Sequence, residues 1–310
     1  MNVLRKIIDI ATDNRLPHFL PYNIAKSTKM KLQYKKPEFD KIFISLTFDV
    51  ERDFDLENTK AMRGFIKKAK ALEKITKSNL TLFIQGDMVS EFAKDFKNLS
   101  GNEFGLHGFS HELWGTNGWW LNRPIPSYSE KVELIKRGLG AFDENGLERP
   151  KSFRSPYLVV NDETLKLIQK FGFTVDSSFP SYRGVEPVPR KIGGVFEVPV
   201  TSNPIPKLSK GSLLPSFYYE SFNLKTIVDL SKDQIFDFFN RVAFFQQRNG
   251  VIPHLIFLAH PWEFMSWEKK GYGYCSEENF GLIKNVLSNF ERSFEVEYCK
   301  VSEIPERVMN

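Results

Sequence analysis

The chain has 310 residues, 41% hydrophobic and 26% charged, with 29 phenylalanines and a formal net charge of +5. This describes a globular protein that can bury a large core, as one α/β domain or two small ones, with phenylalanine filling much of it. The small, scattered positive excess argues against nucleic acid. Two distant cysteines, Cys275 and Cys299, exclude a disulfide framework or a thiolate metal site, and no run reaches the roughly 18 apolar residues that span a bilayer.

Val3, Leu4, Ile7, Ile8 and Ala11 fall on one helical stripe, read as a helix packed on the domain rather than lying on a membrane. The segment lacks a continuous apolar core and a small-residue cleavage site, so it is not a secretory signal. The expectation is a cytoplasmic protein, at most peripheral to a membrane. Residues 12–41 carry Pro17, Pro21 and Pro37 without a clear period, so 1–41 reads as an extension packed on one catalytic domain at 42–310.

Ile42, Phe43, Ile44, Leu46 and Phe48 form an apolar run ending in Asp49-Val50-Glu51. It reads as a buried strand whose alternation puts both acids on one side. A helix follows over 58–77, with Met62, Phe65, Ala69 and Leu72 at helical spacing, then a strand over 80–84, a short helix over 88–96, and a strand over 103–106 running into His107. The spacing predicts a helix over 129–145, capped by Ser127 or Ser129 and stopped by Gly146. Next come a strand at 151–153, a helix at 162–171 and a strand at 174–176. This βα alternation argues a parallel sheet or barrel. Residues 180–215 turn to Pro, Gly and Ser around a strand at 195–200 and read as a long irregular region. A helix at 232–248, a strand at 251–259, a helix at 277–290 and a strand at 294–301 complete the chain, with no boundary between independent domains.

The chemistry-bearing residues gather just past strand ends. His107, His111 and His260 join Asp49 and Glu51 there, where α/β enzymes place their sites. A helical turn through His107-Gly108-Phe109-Ser110-His111 would bring the two imidazoles together, and two His with one carboxylate suffice for a hydrolytic metal with an open position. Bound by Glu51, His107 and His111, a metal would polarise an amide carbonyl and activate water, leaving Asp49 as general base and His260 to protonate the leaving amine. Arg154, at another strand end, would aim Asp49, and the backbone N–H of Tyr157 after Pro156 is a candidate oxyanion donor. Asp176 serves as a site residue or a plain helix cap. His18 and His254 have no partner motif and read as structural. Trp114, Trp119, Trp120, Trp262 and Trp267 follow the histidine motifs and fit sugar stacking or core packing equally.

Five ordered motifs resemble those of NodB-type polysaccharide deacetylases, the fourth carbohydrate esterase family. They are Thr47-Phe48-Asp49-Val50-Glu51, His107-Gly108-Phe109-Ser110-His111, Arg154-Ser155-Pro156-Tyr157, Asp176-Ser177-Ser178 and Leu258-Ala259-His260-Pro261. The resemblance implies a distorted (β/α)7-type barrel, the NodB homology fold. It also implies a divalent metal, most simply Zn2+, on Glu51, His107 and His111. Asp49 is then the base, Arg154 orients it with Asp176 as the arginine's partner, Tyr157 helps hold the oxyanion, and His260 transfers a proton. The implied activity is hydrolysis of an N-acyl group, most simply acetyl, from an amino sugar of a glycan or its precursor.

Val50 stands where the common pattern has a second acid, which makes Glu51 the metal-binding one. A subgroup with an acid-Val-acid first motif, an HGxSH second motif and HPWE near the end is more similar. Hydrolysis of a small linear or cyclic amide, and carbohydrate binding without catalysis, are the alternatives. Homo-oligomerisation is left open.

Overall fold

The computed structural model describes residues 32–52, 58–115, 123–179, 187–203, 221–268 and 271–309. The expectations for residues 1–31, His18, Trp119, Trp120 and most of 180–215 lie outside these.

The centre of the fold is β1 (Lys41–Val50), which pairs in parallel with β2 (Leu80–Ile84), β8 (His254–Ala259) and β9 (Glu295–Tyr298). It is buried along nearly its whole length because both of its faces are covered. Ile42, Ile44, Leu46, Phe48 and Val50 point outward into the main core, while Phe43, Ser45, Thr47 and Asp49 point inward. The outward side is covered by α1 (Lys60–Thr76), which buries Met62, Phe65, Ala69 and Leu72, with the Phe65 ring 5.1 Å from that of Phe48. Burying each such side chain contributes about 1.5–3 kcal/mol.

From β2 the sheet continues in parallel through β3 (Glu103–Leu106), β4 (Ser152–Phe153), β5 (Val175–Asp176) and β7 (Val195–Glu197), with β6 (Arg190–Ile192) antiparallel on its edge. Crossovers are made by α2 (Ala93–Lys97), α3 (Tyr128–Glu144) and α4 (Asp162–Lys170); α5 (Leu224–Asp229) and α6 (Lys232–Arg248) precede β8, and α7 (Asn279–Ser293) precedes β9. Beyond β7 the chain meets β8: Thr201 N–H donates to the Ile256 carbonyl at 3.2 Å, and Thr201 Oγ1 accepts from Ile256 N–H at 2.8 Å. The fold is a mixed α/β one whose curled sheet makes a distorted barrel. Phe43, Phe83, Val175, Val198 and Ile256 fill its floor, joined by Ile304 and Val308 of α8 (Ile304–Val308).

Ser127 begins α3 with a reciprocal capping box to Glu130, and Ser231 does the same for α6 with Gln234. The expected helix over 88–96 is instead a tight turn at Gly86–Met88 followed by α2. Met88 and Val89 donate three residues back, to the Gln85 and Gly86 carbonyls at 3.0 and 3.3 Å, and the turn is tied to the next loop by Gly86 and Asp87, which donate to the Gly108 and Phe109 carbonyls at 3.0 and 2.9 Å. β8 starts at His254 rather than 251 because Pro253 has no N–H to give a ladder. Both cysteines are buried and free. No described helix is long and apolar enough to cross a membrane. The described end of the N-terminal extension lies on α6 and α7, with Phe39 stacked on Phe294 at 4.9 Å and Tyr34 edge-on to Phe244.

Candidate active site

Thr47 and Asp49 face the barrel interior two residues apart, at the height where β4 delivers Arg154. The guanidinium is fully buried and donates through Nη1 to Thr47 Oγ1 at 2.7 Å and Asp49 Oδ1 at 2.8 Å, and through Nε and Nη2 to the Ser177 carbonyl and hydroxyl at 2.9 and 2.8 Å. Phe83 lies under it, 4.2 Å from the guanidinium carbon. A buried charge is tolerated only when it is so fully partnered, and removing one member of such a pair costs about 3–5 kcal/mol. Thr47 in turn donates to the Phe257 carbonyl.

One step further out, Glu51 meets two imidazoles. Its Oε2 lies 3.1 Å from His107 Nε2 and 2.6 Å from His111 Nε2, and the three ligand-type atoms fall within 4.8 Å of one another. His107 Nδ1–H donates to the Arg154 carbonyl at 2.9 Å, and His111 Nδ1 meets the Tyr157 hydroxyl at 3.1 Å. Each ring is thereby turned with Nε2 toward the carboxylate, as outer partners orient metal-binding histidines. Two imidazole nitrogens and a carboxylate converging with one open side fit a divalent cation of the hydrolytic type. Burial would raise the Glu51 carboxyl, but His111, His107 and His260 hold it well below the usual carboxylate range. Burial likewise opposes charge on His111, yet Glu51 raises it above the ordinary histidine value.

The histidine pair is not assembled by a helix. Gly108 has φ 66° and His111 φ 60°, and the loop is held by Glu112, which accepts the Phe109 and Ser110 amides at 2.8 and 2.7 Å. A Cβ on residue 108 would come within 2.9 Å of Glu112 Oε1 and 3.0 Å of Trp114 Nε1, so glycine is required twice over.

His260, at the end of β8, brings Nε2 to 3.9 Å from Glu51 Oε1, while Asp49 Oδ2 stands 4.0 Å from His107 Nε2. Burial lowers the His260 pKa, but the hydrogen bond and charge of Glu263, with Glu51 and Asp49, bring it up to about 9. The Trp262 ring stacks on His260 with centroids 4.5 Å apart, and its Nε1–H reaches Glu51 Oε1 at 3.4 Å. Tyr157 sits in a left-handed conformation (φ 60°) straight after Pro156, with its ring edge-on to His111 at 4.5 Å. Asp49, Glu51, His107, His111, Arg154, Tyr157 and His260 thus gather at one rim of the barrel, at the C-terminal ends of the strands.

At Asp176, the hydrogen bonds of Arg154 go instead to the next residue, Ser177, and the guanidinium reaches Asp176 through its charge alone. Asp176 accepts from Ser178 Oγ at 2.7 Å, and Ser178 Oγ accepts the Ser155 amide at 2.8 Å. Burial, and then the neighbouring Asp176, push the Glu197 carboxyl well above the usual carboxylate range. Asp176 braces the turn from below. His254 is structural, as expected. Trp114 is core, while Trp262 lies in the site. Sequence reasoning passed over Thr47, Ser177 and Glu263. The signal for Glu263 was its place three residues after His260 in His-Pro-Trp-Glu.

The sequence profile of the family described as Polysaccharide deacetylase matches residues 36–175, which include every rim residue named above except His260. No curated protein sequence matches the chain. Among solved structures, a protein from Mycobacterium smegmatis, assigned provisionally as a polysaccharide deacetylase, is 16% identical with a TM-score of 0.57 over 88% of this chain and 92% of its own. The allantoinase Puue is 11% identical, with a TM-score of 0.57 over 86% of this chain and 90% of its own. At such identities the likeness is one of fold.

Proposed function

We propose that this protein is a metal-dependent hydrolase that removes an N-acyl group, acetyl in the simplest case, from an amino sugar of a glycan or glycan precursor. The observation that carries the reading is the juxtaposition of an Arg154-held carboxylate, Asp49, with the Glu51, His107 and His111 cluster, 4.0 Å from His107 Nε2. Such a cluster holds a divalent ion, and Zn2+ suits its ligand types; when bound, that ion supplies Lewis-acid polarisation and a more acidic water. Asp49 takes the proton from the attacking water, with Arg154 fixing which oxygen faces it. The Tyr157 N–H, following Pro156 in a left-handed turn, is the candidate donor to the developing oxyanion. His260 Nε2 protonates the departing amine. The Asp49-Val50-Glu51 and His107 to His111 motifs favour the acid-Val-acid subgroup of polysaccharide deacetylases.

The test is acetate release by metal-loaded protein across N-acetylated sugars, chitooligosaccharides, peptidoglycan fragments and nucleotide sugars. Release from at least one, abolished in Glu51→Ala together with stoichiometric metal, is expected. Small linear and cyclic amides belong in the panel, since the same fold carries an allantoinase. Turnover of those alone would move the substrate class, and glycan binding without any acetate release would identify a binding protein.

A further inference from the structure

Glu263 is a carboxylate with no place in the proposed reaction, yet it is 3% exposed and fully engaged. The turn Pro261–Phe264 folds it back beneath His260. Its Oε2 accepts the His260 backbone N–H at 2.7 Å and faces His260 Nδ1 at 3.1 Å; its Oε1 accepts the Tyr274 hydroxyl at 2.9 Å. The Glu263 carbonyl accepts from Asn279 Nδ2 at 2.8 Å and Ser276 N–H at 3.2 Å, so its backbone is pinned as well. A carboxylate is carried this deep only where it is paired. Among the described residues, the imidazole it meets is that of His260. We propose that Glu263 is the positioning residue of His260: it takes the Nδ1–H and so presents Nε2 to the leaving nitrogen, with Tyr274 fixing the carboxylate and Trp262, stacked on the imidazole, blocking rotation of the ring.

The inference rests on the hydrolytic reading for its chemistry. As the C–N bond of the amide breaks, the His260 Nε2–H bond breaks and an N–H bond forms on the amine; the ring keeps its Nδ1–H on Glu263, and the proton that Asp49 took from the attacking water returns to Nε2 through solvent. A leaving group that needs no proton would not use this step. Two measurements on the metal-loaded, full-length protein decide it. In Glu263→Gln and Glu263→Ala, turnover of an N-acetylated sugar is expected to fall about 10- to 100-fold further than turnover of an activated acetate ester, with KM little changed. Equal losses on both substrates, or no loss on either, would overturn the proposal, since a purely structural role moves both alike. Independently of activity, proton NMR of the wild type should show a slowly exchanging downfield imidazole N–H that is absent from His260→Gln. Its loss in Glu263→Ala, which removes the acceptor that a glutamine would keep, supports the positioning role even where no sugar is hydrolysed, a result that would instead count against the hydrolytic reading. Its persistence in Glu263→Ala overturns the proposal.

Discussion

β8 begins with one histidine and is followed by another, and the two have opposite properties. His254 at the floor is 1% exposed and surrounded by neutral groups: Gln246 Oε1 accepts its N–H at 2.9 Å, Gln246 Nε2 donates to its carbonyl at 2.9 Å, and the Ile252 carbonyl takes Nδ1–H at 2.9 Å. Burial pushes its pKa down to about 4, so it stays uncharged. His260 at the rim keeps about a fifth of its side chain exposed (22%), and burial pulls its pKa down too, but Glu263 reverses the outcome. A cation held by Glu51 would cancel part of the pull from that side, leaving Glu263 as the constant partner. What lies three residues on, a carboxylate or none, separates a charged imidazole from a neutral one.

The comparison breaks most visibly in activity. Asp49→Asn and His260→Gln each remove one proton-transfer group, and each should lower amide turnover by about 100- to 10,000-fold while bound metal, measured by elemental analysis, is retained. His254→Gln should leave turnover within a few-fold and instead lower stability by about 1–3 kcal/mol in chemical denaturation, through a lost buried hydrogen bond. Full activity in His260→Gln would erase the distinction between the two ends.

Next in size is the pH dependence of stability at the floor. An unfolded His254 takes a proton near pH 6.5, whereas the folded one resists until about pH 4. Between those values the unfolded state binds more protons, so stability falls as pH drops through the window, by about 3 kcal/mol from this group. Denaturation midpoints of wild type and His254→Gln, compared at pH 7 and pH 4.5, should converge towards the acid end. Parallel curves would mean that His254 is not held neutral.

The difference between the two ends was partly legible in the sequence. Period-2 alternation placed Asp49 and Glu51 on one face, and β1, β2 and α6 were located closely, the strands by their apolar runs and α6 by its helical period. The strand β6 was not legible: Arg190, Lys191 and Ile192 carry no apolar alternation and form a strand only because β7 offers an edge. α5 and α8 are too short to display a period. At the site, the residue types that could ligate were readable, but the means of assembly was not. The turn through Gly108 and His111 depends on backbone conformation. The choice of Ser177 over Asp176 for Arg154 depends on strand register at one residue. Glu263 was visible as a letter, but its role appeared only once the turn after Pro261 folded it under the ring.

The smallest expected effect falls on the outermost member of the rim arrangement. Tyr274→Phe removes the hydroxyl that donates to Glu263 Oε1, while Oε2 keeps its bonds to the His260 amide and ring. That carboxylate and its proximity also raise the Tyr274 pKa further after burial has raised it, so the phenol stays a donor throughout the working range. One hydrogen bond to a charged, buried acceptor contributes about 1.5–3 kcal/mol, part of which the freed oxygen recovers from water or from Oε2's neighbours. Turnover of the N-acetylated sugar should therefore fall by roughly 3- to 10-fold, and the activated-ester rate by less, with His254 and the acid limb of the stability curve untouched. A loss as large as that of Glu263→Ala would mean that Tyr274 does more than hold the carboxylate. No loss would mean that the turn after Pro261 is rigid enough to hold Glu263 alone.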